Sequence, residues 1–78
     1  MADLTVRILN EEDNPVEDVP VRLEFSELTR GMSDTERTNG EGYAYFSGYD
    51  EGPINVFVDH KNYGSFHYRD GGSIDIVR

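Results

Sequence analysis

The sequence predicts an all-β fold, a small antiparallel sandwich or barrel in a single domain over residues 1–78. Apolar and polar residues alternate with a period of two, and turn residues recur about every eight to twelve positions. No stretch keeps the spacing of an amphipathic helix for more than one turn. We therefore expect seven short strands, at residues 4–9, 19–25, 35–38, 43–46, 54–58, 65–69 and 73–77.

The first two predicted strands flank a polar turn over residues 11–15. In this turn Pro15 fixes φ and Asn14 can bond its own backbone. Pro20 cannot donate to a ladder, so it marks either the start of the second strand or a sheet edge. The side chains expected to face inward are Leu4, Val6, Ile8, Val19, Val21, Leu23 and Phe25.

The middle of the chain combines an irregular connection with two short strands. Residues 26–34 show no sustained period and are expected to be a mobile connection. The third strand ends at Asn39-Gly40, a pair that favours a tight turn with positive φ. The fourth strand is expected to run back with Ala44 and Phe46 in the core.

The last three strands follow a turn marked by Gly48, Gly52 and Pro53. The stretch 54–58 has the clearest alternation in the chain, with Phe57 facing outward. Residues 70–72 separate the sixth strand from the seventh. The expected core residues of the fifth strand are Ile54, Val56 and Val58.

Composition limits the functions that are plausible. Sixteen Asp and Glu against seven Lys and Arg give a net charge of −9, which repels nucleic acid and favours basic partners or cations. Lys61 is the single lysine, and an acid-rich, lysine-poor chain would suit high salt. Without cysteine there is no disulfide or thiolate zinc site, and the redox compartment stays undetermined. We expect no signal peptide and no membrane segment in these residues, and the chain could be a domain cut from a longer secreted or particle-bound protein.

The segment 38–46, Thr-Asn-Gly-Glu-Gly-Tyr-Ala-Tyr-Phe, together with 4–10, 14–16, 19–23, 52–58 and 63–64, resembles carboxypeptidase regulatory-like and transthyretin-like (prealbumin-like) domains. The resemblance covers nearly the whole chain. It implies a seven-stranded antiparallel Greek-key β-sandwich, immunoglobulin-like or transthyretin-like. It also implies that Gly42, Ala44 and Phe46 mark the turn into a central strand for steric reasons. Such domains serve mostly as rigid spacers or docking units.

One enzymatic branch of this superfamily, hydroxyisourate hydrolase, uses a histidine in the first strand and a C-terminal Tyr-Arg-Gly-Ser. Here Arg7 holds the first-strand position, and the chain closes with Ile-Asp-Ile-Val-Arg. The stretch 68–71, Tyr-Arg-Asp-Gly, matches that signature only in part and precedes the last strand. We therefore expect that the chain is not an enzyme.

Three other candidate sites are weak. His60 and His67 have no metal-triad spacing and no nucleophile in a recognisable elbow, so we expect surface histidines and no catalytic residue. The acidic residues of 11–18 could hold calcium but lack the spacing of an EF-hand, which favours a solvated turn. Lys61 resembles the lysines of adhesin isopeptide bonds, yet the first strand offers Arg7 and the last offers no Asn. We expect no cofactor and no metal.

The outward aromatic residues are the remaining candidates for a binding surface. Exposed aromatic rings on one sheet mark contact surfaces for protein or sugar. The alternative is that they cover the rim of a small core, and the order of the strands decides between the two. Phe66 and Tyr68 are also expected to project from outer faces or edges. The candidate partner-binding residues are Tyr43, Tyr45, Phe57, Tyr49 and Tyr63.

These observations favour a non-catalytic module that acts as a docking, spacer or assembly domain of a larger extracellular or particle-associated system. A protein partner or self-association is expected, and neither nucleic acid nor membrane is. One alternative is a carbohydrate-binding module that uses exposed tyrosines, Tyr43, Tyr45, Tyr49 and Tyr63. Others are a transthyretin-like homo-oligomer with a ligand channel, and an acidic inhibitor that imitates a nucleic-acid backbone.

Overall fold

The computed structural model describes residues 2–25 and 31–78, and within them all regular structure is β-strand. Part of the irregular connection predicted at 26–34 therefore lies outside the described residues. The strands form a three-stranded and a four-stranded sheet that enclose one apolar core. They are β1 (Ala2–Leu9), β2 (Pro20–Phe25), β3 (Glu36–Arg37), β4 (Tyr43–Tyr49), β5 (Gly52–Val58), β6 (Lys61–Tyr68) and β7 (Gly72–Val77).

The strand order is β4-β1-β7 in one sheet and β3-β2-β5-β6 in the other. Most pairs are antiparallel, but β1 and β7 run parallel, with Leu4 opposite Gly72 and Leu9 opposite Val77. The prediction of antiparallel pairing throughout is therefore wrong for this pair. Its physical reason is that alternation fixes which face of a strand is buried and carries no information about the direction of its neighbour.

The core contains the inward side chains that the alternation predicted, and it also contains residues that were not predicted, such as Ala2 and Tyr68. Ile54, Val56 and Val58 are fully buried, and Phe25 and Phe46 are buried as expected. Pro20 is the first residue of β2. Because it lies at the strand end, its missing N–H does not interrupt the hydrogen bonds of the strand interior. The remaining buried apolar residues of the sheets include Leu4, Val6, Ile8, Val21, Leu23, Ala44, Ile74 and Ile76.

The loops after β1 and before β4 share one hydrogen-bond pattern. In the first, the side-chain oxygen Oδ1 of Asn10 accepts bonds from the N–H groups of Glu12 and Asn14. In the second, Asn39 Oδ1 accepts from Glu41 and Tyr43. The capping side chain of the first loop is thus Asn10, whereas the sequence had suggested Asn14.

The residue three positions after each of these asparagines has positive φ, 65° at Asp13 and 82° at Gly42. A Cβ on Gly42 would lie 2.6 Å from the carbonyl oxygen of Ile8 and 3.0 Å from the Cβ of Pro15. The steric role inferred for Gly42 therefore has a physical cause. The strand that follows it, β4, is an edge strand and not the central strand that the resemblance implied, because β1 lies between β4 and β7. The positive φ predicted at Asn39-Gly40 falls instead on Gly42, because this loop crosses between sheets and does not close a hairpin.

The hairpin between β5 and β6 turns at Asp59 and His60, which both have positive φ, 56° and 68°. Two consecutive residues of this kind define a type I′ turn, whose twist matches paired strands. Without an Asn-Gly or Asp-Gly signal the sequence did not predict this hairpin. As a result β6 begins at Lys61, four residues before the predicted start.

Tyr68 and Phe66 were predicted to project outward, and this prediction is wrong for both residues. Tyr68 is fully buried, and Phe66 packs partly buried against the core. A register shift between Asn55 and Phe57 changes how β6 aligns with β5, so the alternation of β6 is not continuous. The rings of Phe25, Tyr49 and Tyr68 fill this end of the sandwich, with centroids 5.1 Å to 6.4 Å apart.

Candidate interaction face

The outer side of the three-stranded sheet carries two adjacent tyrosines on β4. Tyr43 and Tyr45 lie two residues apart, so both project from the side opposite to Ala44 and Phe46. Their ring centroids are 6.0 Å apart, and their planes differ by 28°. Tyr45 keeps 59% of its surface exposed. An aromatic side chain this open to water offers contact area that the domain itself does not use.

The neighbouring strand β1 places a cation against this pair. Arg7 lies opposite Tyr43 in register, and its guanidinium carbon Cζ is 5.4 Å from the centre of the Tyr43 ring. This is within the range of a cation–π contact. Arg7 Nε is buried and makes no hydrogen bond. The arginine therefore packs against the first tyrosine, while the second stays exposed.

On its other side Arg7 lies opposite Asp75 of β7, and Thr5 lies opposite Tyr45. We call this outer surface of the three-stranded sheet, formed by Thr5, Arg7, Tyr43, Tyr45 and Asp75, the tyrosine face. It combines stacked rings, one cation and one carboxylate on a rigid sheet. Tyr and Arg are enriched in protein–protein interfaces, whereas Asp is depleted there.

The other predicted binding residues lie elsewhere. Phe57 is half-buried on the outer side of the four-stranded sheet, opposite Arg22. It is separated from the tyrosines of β4 because β5 and β4 belong to different sheets. Tyr49 packs on Phe25 in the core, and its hydroxyl accepts a bond from the N–H of Asp34. Tyr63 packs partly buried against the core, 5.9 Å from Lys61 Nζ. The single patch expected from these aromatic residues is therefore not formed.

Sequence reasoning missed Arg7 as a member of this face. Its place beside Tyr43 follows from the pairing of β1 with β4, which joins residues far apart in the chain. The only signal was its outward position on the first strand. Strand order had to be known before that position could be assigned to the tyrosines.

The residues considered for chemistry are dispersed. His60 is exposed in the β5–β6 turn, and His67 is exposed on β6. In residues 2–25 and 31–78 no three His, Asp or Glu side chains lie together in a way that could hold a metal ion. The facing inward residues of β1 and β7, such as Val6 and Ile74, are apolar, so this pair offers no lysine and carboxamide for an internal cross-link.

At the edge of the described core, Asp70 ties two turns together. Its carboxylate accepts a bond from the N–H of Asp3, and its own N–H donates to Glu51. These carboxylates line a shallow depression with Ala2 and Tyr49. These hydrogen bonds stabilise the turns and do not indicate a binding site.

Among the described residues, no helix is long and apolar enough to cross a membrane.

Comparison with known proteins shows the fold alone. No family model matches the chain, and no curated protein matches it either. A solved structure, "The Bacillus anthracis TIE protein", matches with a TM-score of 0.70 and 12% sequence identity. The match covers 99% of this chain and 16% of that one. The chain thus spans about a sixth of the length of the structure it resembles and shares its β-sandwich-like architecture there.

Proposed function

We propose that this domain is a non-catalytic spacer and docking module of a larger extracellular or particle-associated protein. The observation that carries the proposal is the parallel pairing of β1 with β7. Because the two strands run in the same direction, the chain enters the sheet at one end, near Ala2, and leaves at the other, near Arg78. Eight residues of strand separate these points by roughly 25 Å.

This placement of the ends suits a module threaded in series with others. Antiparallel terminal strands would bring both ends to the same side and fold any flanking domains together. Parallel ones hold flanking domains apart by the length of the sandwich. The structural neighbour supports the idea, since the region that matches there is 16% of a longer chain.

The finer family assignment is part of this proposal. We infer a carboxypeptidase regulatory-like or transthyretin-like sandwich with Greek-key, immunoglobulin-like connections. The support is the role of the segment 38–46, in which Gly42 occupies a position that a side chain would obstruct and Ala44 and Phe46 are buried. The described residues form seven strands, which is the number that the resemblance to that family implies.

The docking part of the role belongs to the tyrosine face. Its partner is a protein that covers Tyr45, which is 59% exposed, and that brings apolar or cationic groups to a domain with a net charge of −9. The predicted sugar platform of four tyrosines has less support, because Tyr49 and Tyr63 pack against the core and do not extend this surface.

Small-angle X-ray scattering tests the spacer role. The domain is placed between two identical folded reporter proteins, and the maximum dimension is compared with that of the reporters joined by a flexible linker of the same residue count. We expect an extended particle, with the reporters held apart by the sandwich. A compact particle with touching reporters would contradict the spacer role.

Light scattering after size-exclusion chromatography, at low and at molar salt, tests the docking role. A monomer is expected, because the tyrosine face is proposed to meet a different protein. A dimer that dissociates on the substitution Tyr45→Arg would show that the same face binds a second copy instead. A dimer insensitive to this substitution would place self-association on another surface of the domain and leave the tyrosine face free for a different protein.

A further inference from the structure

We propose that the parallel pair β1–β7 is a force-bearing clamp, which resists tension applied between the two ends of the domain. The proposal rests on the spacer role, because only a module joined to others in series experiences tension between its ends. It concerns a mechanical property of the fold that the spacer role does not require.

The geometry of the pair determines how tension acts on it. Tension pulls β1 at its first residue and β7 at its last, in opposite directions along the strands. In a parallel pair this makes the strands slide past each other, so the evenly spaced hydrogen bonds are loaded together. A pair pulled apart from one end would instead lose its bonds one at a time.

The ladder is closed at both ends. Its register runs from Leu4 opposite Gly72 to Leu9 opposite Val77. Beyond the first pair, the N–H of Gly71 donates to the carbonyl of Asp3 at 2.9 Å. Beyond the last pair, the N–H of Arg78 donates to the carbonyl of Leu9 at 2.8 Å. The clamp therefore begins and ends close to the points where tension enters.

The position of β1 adds resistance to sliding. It is the central strand of its sheet and also pairs with β4, from Ala2 opposite Tyr49 to Arg7 opposite Tyr43. Its inward side chains Leu4, Val6 and Ile8 are at most 2% exposed. Sliding β1 along its axis would disrupt both ladders and expose this apolar row at the same time.

Each loaded end is also attached to the opposite sheet. The hydroxyl of Tyr68, on β6, donates to the carbonyl oxygen of Ala2 at 2.6 Å. The guanidinium of Arg78 contacts the carboxylate of Asp59 in the β5–β6 turn. Both attachments reach the β5–β6 hairpin, so tension on either terminal strand is shared with the four-stranded sheet.

Single-molecule force spectroscopy tests the clamp by changing the direction of pulling. A tandem array of the full chain, joined end to end, applies tension between the N- and C-termini. In a second array each copy is joined through its N-terminus and through the cysteine introduced by the substitution S73C. This attachment point is unique because the natural chain contains no cysteine. Ser73 lies opposite Thr5, near the start of β1, so this array peels β7 from β1 at one end.

We expect the unfolding force to be several-fold higher when the termini are pulled than when the Ser73 attachment is pulled. Forced unfolding reports the barrier along the pulling direction. The comparison requires that S73C leaves the equilibrium stability of the domain unchanged. Thermal unfolding of S73C checks that condition. If S73C fails to fold, R69C in the exposed turn before β7 gives a second attachment at the same end.

Equal unfolding forces in the two directions would overturn the clamp. That outcome would leave the spacer role intact if the particle flanked by reporters is extended in scattering. A compact flanked particle combined with a high terminal force would instead retain the clamp as a property of the fold and remove its use as a spacer.

Discussion

The hydroxyl of Tyr68 donates a hydrogen bond of 2.6 Å to the carbonyl oxygen of Ala2, joining the last residue of β6 to the first residue of β1. The two residues are separated by 66 positions and belong to different sheets. Backbone ladders connect strands only within a sheet. This side chain therefore supplies a polar connection between the sheets inside an otherwise apolar end of the core.

Replacing Tyr68 by phenylalanine should lower the free energy of unfolding by about 1–3 kcal/mol, because the buried carbonyl of Ala2 then lacks its partner. Urea denaturation at neutral pH measures the change. Tyr45→Phe is the matched control, since it removes the same atom from an exposed ring and should leave stability unchanged. An equal effect of both substitutions would contradict the importance of the buried bond.

The same residue should make stability depend on alkaline pH. Burial raises the pKa of the Tyr68 hydroxyl above its ordinary value of about 10, and the nearby charges of Asp3 and Asp70 add to this. The unfolded chain then loses this proton near pH 10 while the folded protein still holds it. The contribution is complete below that pH and is lost as the pH rises through the folded-state pKa.

We expect the unfolding free energy to fall above about pH 10, by at most about 1.4 kcal/mol per pH unit from this group. In Tyr68→Phe the decline should be shallower. Denaturation of both proteins at several pH values between neutral and strongly alkaline measures the difference. Parallel pH profiles would show that Tyr68 does not titrate differently in the folded and unfolded states.

Gly42→Ala should destabilise the domain by about 2 kcal/mol or more, because φ is positive there and the new Cβ would approach the Ile8 carbonyl oxygen. Gly40→Ala is the control within the same loop. A Cβ on Gly40 meets only a Glu17 side-chain oxygen at 4.0 Å, and φ there is not positive. Thermal unfolding should separate the two variants clearly, and equal melting temperatures would contradict this account.

Tyr45→Ala and Phe46→Ala should differ sharply although the residues are adjacent. Phe46 is 3% exposed, and its loss from the core should cost about 3–5 kcal/mol. Tyr45 projects to the opposite side, and its removal should change stability by less than about 0.5 kcal/mol. Circular dichroism during heating measures both. If Tyr45→Ala unfolds the domain, that ring belongs to the core and is not available to a partner.

Salt should stabilise the domain, because its net charge of −9 repels itself at low ionic strength. In about 1 M sodium chloride the screening length falls to about 3 Å, which removes most of this repulsion. Among the described residues, exposed ion pairs such as Arg37–Asp18 and Arg78–Asp59 are worth little in comparison. We expect the melting temperature to rise steadily with salt, and a fall would mean that favourable pairs outweigh the repulsion.

The alternation of apolar residues was sufficient to predict that the chain forms strands, and to predict most of the core, but not all of the strand bounds. Ile54, Val56 and Val58 face inward because a strand with one buried face must repeat every second residue. Period-two patterning does not reveal which strands are neighbours or in which direction they run. For that reason the parallel alignment of β1 with β7 was not predicted.

The candidate surface depended on that missing information. Tyr45 and Phe57 are both outward positions of their strands, yet they lie on different sheets. Tyr68 was misplaced because the register shift near Phe57 breaks the alternation of β6, and because the turn at Asp59-His60 lacks the glycine that usually signals a two-residue hairpin turn. Local sequence carries no clear signal for either feature.

The pairing of the first strand with the last also constrains the order in which the domain can form during synthesis. The four-stranded sheet uses only residues 20–68, and its β5–β6 hairpin is local in sequence. Within the domain β1 is made before the other strands, but one of its two neighbours is β7, which is made after all of them. Until β7 has been made, one edge of β1 is unpaired, so the three-stranded sheet is completed only after the rest of the domain has been synthesised.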